Sequence, residues 1–266
     1  HHQAGGCAGT FRRGAWVFDV GATQVAGLEP GGSHQCLIQH LDLPLPAAKI
    51  LDPGCVVDLG DGSSPIHLWH DPARWAEERQ HHFPGSQRFW ELCQLLHTSN
   101  WAFASRDPVV TPRSAWELST LIRAVRPATV ASSLFTGFTV ADLLQLCGCG
   151  NDQRLRRFLD LQLKLYSQEP ADQTAALYGA TVLQMAQSPL GLWHLEGSMQ
   201  ELSELLLQSI RRDGGQVLMR HRVKTMTPTT AGWCVASTNA SGQTVKQSSR
   251  DVICSLPPQC LLDLIP

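Results

Sequence analysis

Three absences narrow this chain before any motif is read. It has no excess of positive charge: 21 lysines and arginines face 23 aspartates and glutamates, a formal net charge of −2. No basic field is left over to hold nucleic acid. Its nine cysteines are odd in number, and no two have C-x-x-C spacing. That pattern argues against a disulfide scaffold or a zinc ribbon and reads as reduced thiols, mostly buried as small hydrophobes. No apolar run approaches the roughly 18–20 residues that span a bilayer, and none reads as a signal peptide. Spacing also reveals no Ser–His–Asp triad, no carboxylate pair, no internal repeat and no low-complexity tract. The chain lacks an initiator methionine and stops at LLDLIP in mid-pattern, so an internal piece of a longer protein is expected.

What is present is ordinary globular material. The 266 residues are 43% hydrophobic and 17% charged, enough for one large domain or two smaller ones. AWVFDVGA at 15–22 reads as a strand between Gly14 and Gly21, and the spacing from His34 to Leu41 predicts a helix. GCVVDL and PIHLWH predict two strands joined by GDGSS, a hairpin-turn sequence. From about Asp71 to Ser188 the pattern is helical. DPARWAEERQHHF opens with Asp71 and Pro72, an N-cap and first-turn pair. SQRFWELCQLLHTSNWAFA, TPRSAWELSTLIRAV, FTVADLLQLCG and DQRLRRFLDLQLKLYSQ follow. In the last of these Leu155, Phe158, Leu159, Leu161, Leu163 and Leu165 cover more than half the circumference, so burial on most sides is expected. ADQTAALYGATVLQMAQ shows a face of Ala175, Ala176, Gly179 and Ala180, which lets a neighbouring backbone or a flat ligand come close. After Gly191 a strand or turn leads to a helix. Its expected start is a Ser198–Glu201 capping box, its stripe is Leu202, Leu205, Leu206 and Ile210, and Gly214-Gly215 stops it. QVLMR, HRVKTMT, GWCVAST, TVKQ and DVICS then read as short strands of an antiparallel meander.

Two stretches near the start suit a ligand. Gly5-Gly6, Ala8, Gly9 and Thr10 let the backbone lie close to a bulky polar group. Backbone N–H groups and the Thr10 hydroxyl can bond phosphate or ribityl oxygens, and Arg12 or Arg13 adds charge. At Val20-Gly21-Ala22-Thr23 a strand ends in residues too small to block a planar ring. On these residues alone, a glycine-rich surface turn beside a buried strand is the alternative.

A third stretch extends the pattern. EGSMQELSELLLQSIRRDGGQVLMRHRVKTM is a turn, a helix, a double glycine, a strand, and then Val223 in H-R-V-K-T-M. The arrangement resembles the FAD-dependent amine oxidase and phytoene desaturase superfamily. Together with GGCAGTFRRGAWVFDVGATQVAGLEPGGSH and RFLDLQLKLYSQ, it is most similar to the carotenoid desaturase and isomerase branch, and within it to cyanobacterial carotenoid 3′,4′-desaturase-type proteins. DVICSLPPQCLLDLI resembles the family's strand-then-proline segment. The resemblance runs over most of the chain, and GATQVAGLEPGG is its branch-specific part.

The resemblance implies FAD as cofactor. It implies that Gly5, Gly6, Thr10, Arg12, Gly21, Ala22, Thr23, Gly197 and Ser198 bind it, with the Val223 backbone at the adenine end. It implies an α/β fold. A discontinuous Rossmann-like FAD-binding domain is expected from residues 1–45 and 191–266, with a mixed-sheet and helical substrate domain at 46–190. Two departures make that FAD domain incomplete. The G-x-G-x-x-G strand–turn–helix and the ribose-binding acid are absent, as is the family's carboxy-terminal flavin segment. A first βαβ unit of roughly 30 residues is therefore expected to be missing, and the fragment alone to be inactive.

The implied reaction introduces a double bond into a carotenoid by hydride transfer to flavin. Two alternatives stay open: a carotenoid cis–trans isomerase using reduced FAD in the same pocket, and a non-catalytic carotenoid- or lipid-binding fragment. Gln24, the closest side chain to the VGAT bend that can orient or polarise a group, is the catalytic candidate. The partners implied are a hydrophobic polyene and a membrane surface, in a cytoplasmic, peripherally membrane-associated protein. For the membrane, TPRSAWELSTLIRAVRP sets Leu118, Leu121, Ile122 and Val125 on one face with Trp116 near its start, and places Arg113, Arg123 and Arg126 elsewhere on it or beside it. Such a helix rests in a membrane interface or packs on a core with solvated arginines.

Three weaker signals favour structure over chemistry. A strand at PIHLWH puts His67 and His70 on opposite faces, so with His81 and His82 downstream no metal site is expected. DLGDGS lacks the later ligands of a calcium loop and reads as a hairpin turn. Cys147 and Cys149 in CGCG fit a helix-ending turn with buried thiols better than a redox pair.

Overall fold

The computed structural model describes residues 3–185 and 191–265. The chain is mixed α/β and divides into two compact units. One comprises the residues up to Thr23, Leu41–Pro46 and Gly197 onward; the other comprises Gln24–His40 and Ala47–Glu196. The strands described form four small sheets, all antiparallel. Elements are numbered in chain order.

The first unit opens with a hairpin. β1 (Thr10–Arg13) pairs with β2 (Trp16–Asp19), with Phe11 opposite Phe18 and Arg12 opposite Val17. Gly14 takes a positive φ of 58° at the first position of the two-residue turn, a backbone shape that suits the twist of a tight hairpin. The run WVFDV, expected as a strand, supplies β2 but is open to solvent, unlike the buried strand of the alternative reading: Trp16 is 73% and Val20 58% exposed, and the Phe11 and Phe18 rings stack at 5.3 Å. A two-stranded ribbon has no second layer to bury against, so its apolar residues pair across the strands. Later in the unit, α9 (Gln200–Arg212) precedes β7 (Arg222–Thr229), β8 (Gly232–Thr238) and β9 (Thr244–Ser249), a three-stranded meander, and α10 (Pro258–Leu262). In the turn after β8, Asn239 Oδ1 accepts from the Ser241 and Gln243 N–H groups, both at 3.0 Å, as an Asx turn does.

Three sequence expectations fail in this unit. QVLMR and DVICS form no strands; neither finds a ladder partner among the described residues, and strand propensity without a neighbour makes no sheet. The α9 stripe is only partly covered, with Leu206 39% and Ile210 45% exposed while Leu207 and Ser209 are buried. The Ser198 capping box is not formed: Met199 is the N-cap, and no side chain caps from that position. Its N–H is taken by Asp19 Oδ1 at 3.0 Å, an acid from the end of β2 at the positive end of the helix.

The second unit is mainly helical. α1 (Ser33–His40) follows Gly27 and Gly32. β3 (Ala48–Ile50) pairs with β6 (Trp193–Leu195), and β4 (Cys55–Val57) with β5 (Ile66–Leu68) across the GDGSS turn. Helices α2 (Pro72–His82), α3 (Gln87–Ala104), α4 (Ala115–Ala124), α5 (Pro127–Ser133), α6 (Val140–Leu146), α7 (Gln153–Tyr166) and α8 (Ala176–Met185) follow. Several starts are capped as expected of such sequences. Asp71 Oδ1 accepts from Arg74 N–H at 2.8 Å, and Ser114 and Glu117 form a reciprocal capping box. The core gathers Ile66 and Leu68 from the hairpin with Trp75, Phe83, Phe89, Trp90 and the inner faces of α6, α7 and α8. Trp90 Nε1 donates to Ser86 Oγ at 3.0 Å, which keeps the buried indole paired.

α7 is amphipathic rather than buried on most sides. Leu155, Phe158, Leu159 and Leu163 are fully buried, but Leu161 is 45% and Leu165 65% exposed. Its leucines exceed what one core-facing stripe can cover, so two point to solvent. The small-residue face of α8 admits protein. A Cβ on Gly179 would lie 2.3 Å from Val140 Cγ2 of α6 and 3.6 Å from Leu163 Cδ2 of α7. Gly179→Ala is therefore expected to lower stability by about 2 kcal/mol in urea unfolding, because the clash outweighs the gain in helix propensity. Ala186 and Gln187, expected at the end of this helix, lie outside the described residues, as does Leu190 at the expected domain boundary.

Candidate functional site

All ten residues assigned to the cofactor fall in the first unit. Gly5 and Gly6 have φ of 114° and 54°, which glycine adopts without strain. They start a short 3₁₀ turn in which Ala8 N–H donates to Gly5 O at 2.8 Å and Gly9 N–H to Gly6 O at 3.2 Å. α9 runs beside it: a Cβ on Gly5 would sit 2.9 Å from Ser203 Oγ. Gln3 Nε2 reaches both Thr10 O at 2.5 Å and Gln200 Oε1 at 3.3 Å. Gly21 returns to the same turn, with Cys7 O 3.1 Å from where its Cβ would be. Gly197 has φ of 105°, and a Cβ there would meet Glu201 Oε1 at 3.0 Å. Ser198 contributes its carbonyl to Glu201 N–H at 3.1 Å. So the glycine turn, the end of β2 and the start of α9 share one place.

These contacts bear on whether a dinucleotide fits. Around Gly5, Gly21 and Gly197 the room left by the missing side chain is filled by the chain's own atoms. Gly6 differs, with nothing within 4 Å of a Cβ. Arg12 projects from the exposed hairpin and forms no ion pair among the described residues. Ala22 and Thr23 are exposed. The Met199 N–H at the start of α9 is already used by Asp19, so a phosphate would have to use other donors. The residues fit the group in part: Gly6 leaves open space and Arg12 has no ion pair among the described residues, while the Met199 N–H at the start of α9 is already used.

Val223 lies elsewhere in the unit. It sits in β7 opposite Ser237, at a bulge between Val223 and Thr225, and is 37% exposed. With His221, Met226, Val235, Ile253 and Leu256 it lines a cavity of about 610 Å³, within the size range of ligand sites. Bulges often re-aim side chains beside such sites. No hydrogen bond joins Val223 to the glycine turn among the described residues. The opposite wall, from Val252 to Leu256, was not foreseen as a lining; its signal was the apolar DVIC run, read as a strand.

Gln24 opens the second unit. Its Nε2 donates to Gly54 O at 2.9 Å, which fixes the side chain and leaves Oε1 as the available atom. The histidines singled out are engaged structurally. Glu78 accepts from His67 N–H at 2.8 Å, from its ring at 3.1 Å and from Trp69 Nε1 at 3.2 Å. Burial pushes the Glu78 carboxyl up, but these bonds and the nearby His82 hold it below the usual carboxylate range. His70 packs against Gly191, whose Cβ would fall 2.5 Å from His70 Nδ1. Among the described residues no group of three or more His, Cys, Asp or Glu is placed to hold a metal. Asp58 and Asp61 in DLGDGS cap their own turn, accepting from Gly60 and Ser63 N–H. Gly148, with φ of 80°, ends α6, and burial pushes the Cys147 and Cys149 thiols up, away from the reactive thiolate.

No family model matches the chain. It is similar to all-trans-retinol 13,14-reductase of Danio rerio, with 21% identity over 227 residues that cover 83% of this chain and 36% of that protein. The chain thus spans just over a third of the length of the curated relative it matches. No helix among the described residues is long and apolar enough to cross a membrane.

Proposed function

We propose that this chain belongs to an FAD-dependent oxidoreductase acting on a hydrophobic polyene, and that its reaction is the introduction of a 3′,4′ double bond into a carotenoid. The observation that carries the reading is the gathering of all ten assigned cofactor residues, from both ends of the chain, into one structural unit. The similarity to a retinol reductase, a protein named for a polyene alcohol and a redox reaction, supports the same class. The strands described are antiparallel, so the Rossmann-like sheet of the proposed FAD domain rests on the resemblance alone.

When bound, the flavin supplies a hydride acceptor for one carbon of the polyene while the neighbouring carbon loses a proton. Gly6 and the Thr10–Arg12 strand would hold the polar part, and Val223 the adenine end. Gln24, fixed by Gly54 O, would offer its Oε1 as the polar group that orients or polarises the substrate.

Membrane contact is part of the reading. Trp116 is 69%, Ile122 63% and Leu134 75% exposed on α4 and the end of α5, with Arg113, Arg123 and Arg126 beside them. Exposed apolar side chains with arginines near them in the chain would suit an anionic bilayer surface, in a cytoplasmic, peripherally bound protein. Ile122→Asp is expected to reduce flotation with phosphatidylserine-containing vesicles about tenfold; unchanged flotation removes this surface from the account.

Turnover of the full-length protein with a carotenoid in liposomes and an added quinone tests the reaction. A product lighter by two hydrogens supports desaturation. A product of unchanged mass that needs prior flavin reduction points to the isomerase. A folded protein without flavin or turnover points to a non-catalytic binding fragment.

A further inference from the structure

Two of the buried side-chain atoms without a hydrogen-bond partner converge on one cavity of the second unit. They are Glu29 Oε2 and His97 Nδ1, and both residues line a small, partly open cavity of about 50 Å³ with Gly27, Ser33, Trp101 and Met185. Leaving two such atoms bare is costly, and buried polar groups are nearly always satisfied.

The surroundings are built rather than loose. Glu29 sits in a turn locked by four hydrogen bonds: Gly32 N–H to Glu29 O at 2.8 Å, Gln35 N–H to Gly27 O at 2.9 Å, Gly31 N–H to Gln35 Oε1 at 2.6 Å, and the contact of His34 Nδ1 with Ala26 O at 2.7 Å. Gly27 and Gly32 make that turn possible. A Cβ on Gly27 would strike Ser33 Oγ at 2.8 Å, and one on Gly32 would strike Gly27 O at 2.5 Å. His97 comes from α3, with the Trp101 ring 5.8 Å away. Burial lowers its pKa, which favours the neutral ring with one donor and one acceptor nitrogen.

We propose that this cavity is a binding site for a hydroxyl group, held between Glu29 and His97. A single hydroxyl donates its hydrogen to the Glu29 carboxylate and accepts from His97 Nδ1–H through its oxygen, satisfying both atoms at once. The space exceeds the roughly 10–15 Å³ that one water requires, so it admits the alcohol end of an organic molecule as well as water. The site does not depend on the flavin reading, and no redox step is involved.

The test follows the His97 ring resonances of the full-length protein by NMR while n-butanol, or 1-chlorobutane as a control without an O–H, is added. A bound alcohol gives a saturable His97 shift with butanol alone, weakened at least tenfold in Glu29→Leu and partly restored in Glu29→Gln. Water as the resident hydroxyl gives no butanol response; instead, a high-resolution crystal structure shows an ordered oxygen within hydrogen-bond reach of both atoms, and Glu29→Leu alone shifts His97. Either result supports the site. An empty cavity, with His97 resonances indifferent to butanol and to both Glu29 variants in folded protein, overturns it.

Discussion

Phe158→Ala is expected to lower the unfolding free energy of the helical unit by about 4 kcal/mol, while Leu161→Ala on the same helix changes it by less than about 0.5 kcal/mol. Phe158 is fully buried. Its ring lies 5.1 Å from Phe83 and 6.5 Å from Trp75, and the side chain joins α7 to α2. Truncation removes the transfer energy of the ring and leaves a cavity whose aromatic walls are held by their own helices, so collapse is limited. Leu161, three residues on, is 45% exposed and loses little. Urea unfolding followed by tryptophan fluorescence separates the two, since Trp75 and Trp90 stand in the affected cluster at 5.9 Å from one another. Similar losses for both variants would mean that α7 is buried on most sides after all.

Val223→Trp is expected to weaken flavin binding at least tenfold, about 1.4 kcal/mol, with the far-UV spectrum unchanged. The valine side chain borders the 610 Å³ cavity at the bulged start of β7 and is 37% exposed, so an indole can enter that space without breaking the ladder to β8. Leu218→Trp is the control. Leu218 is also partly exposed, at 41%, but it is not among the residues lining that cavity. Equal affinities for the two variants would remove the cavity from the proposed cofactor path.

Local features were legible in the sequence and long-range ones were not. Asp71-Pro72 marked the start of α2, and the GDGSS turn its hairpin, because caps and turns depend on neighbours in the chain. α5 was missed even though Pro127 stands at its first position, since Thr129, Val130 and the serines weaken its helical pattern. The pairing of Ile50 with Trp193 joins two three-residue strands distant in sequence, too short to show a period. The small face of α8 could be read, but not that Val140 fills it.

The candidate site divides in the same way. Gly5 and Gly6 stand out in the sequence as residues that let the backbone lie close to a ligand, and Gly197 by the resemblance; that all three take positive φ is a backbone fact that neither the residue types nor the resemblance contained. That Ser203 and Glu201 pack where their side chains would be was not visible, nor that Asp19 takes the Met199 N–H in place of a Ser198 cap. The bond from Gln24 to Gly54, the Val223 cavity wall and the Glu29–His97 pair each join residues brought close only by folding.

The central claim is that this chain carries part of an FAD site, and the flavin content of the full-length purified protein tests it most directly. Absorbance of the native protein and release of the cofactor on denaturation give the ratio. The account predicts a yellow protein with about one FAD per chain, released more readily from Val223→Trp. A folded, colourless protein that takes up no FAD on titration would contradict it.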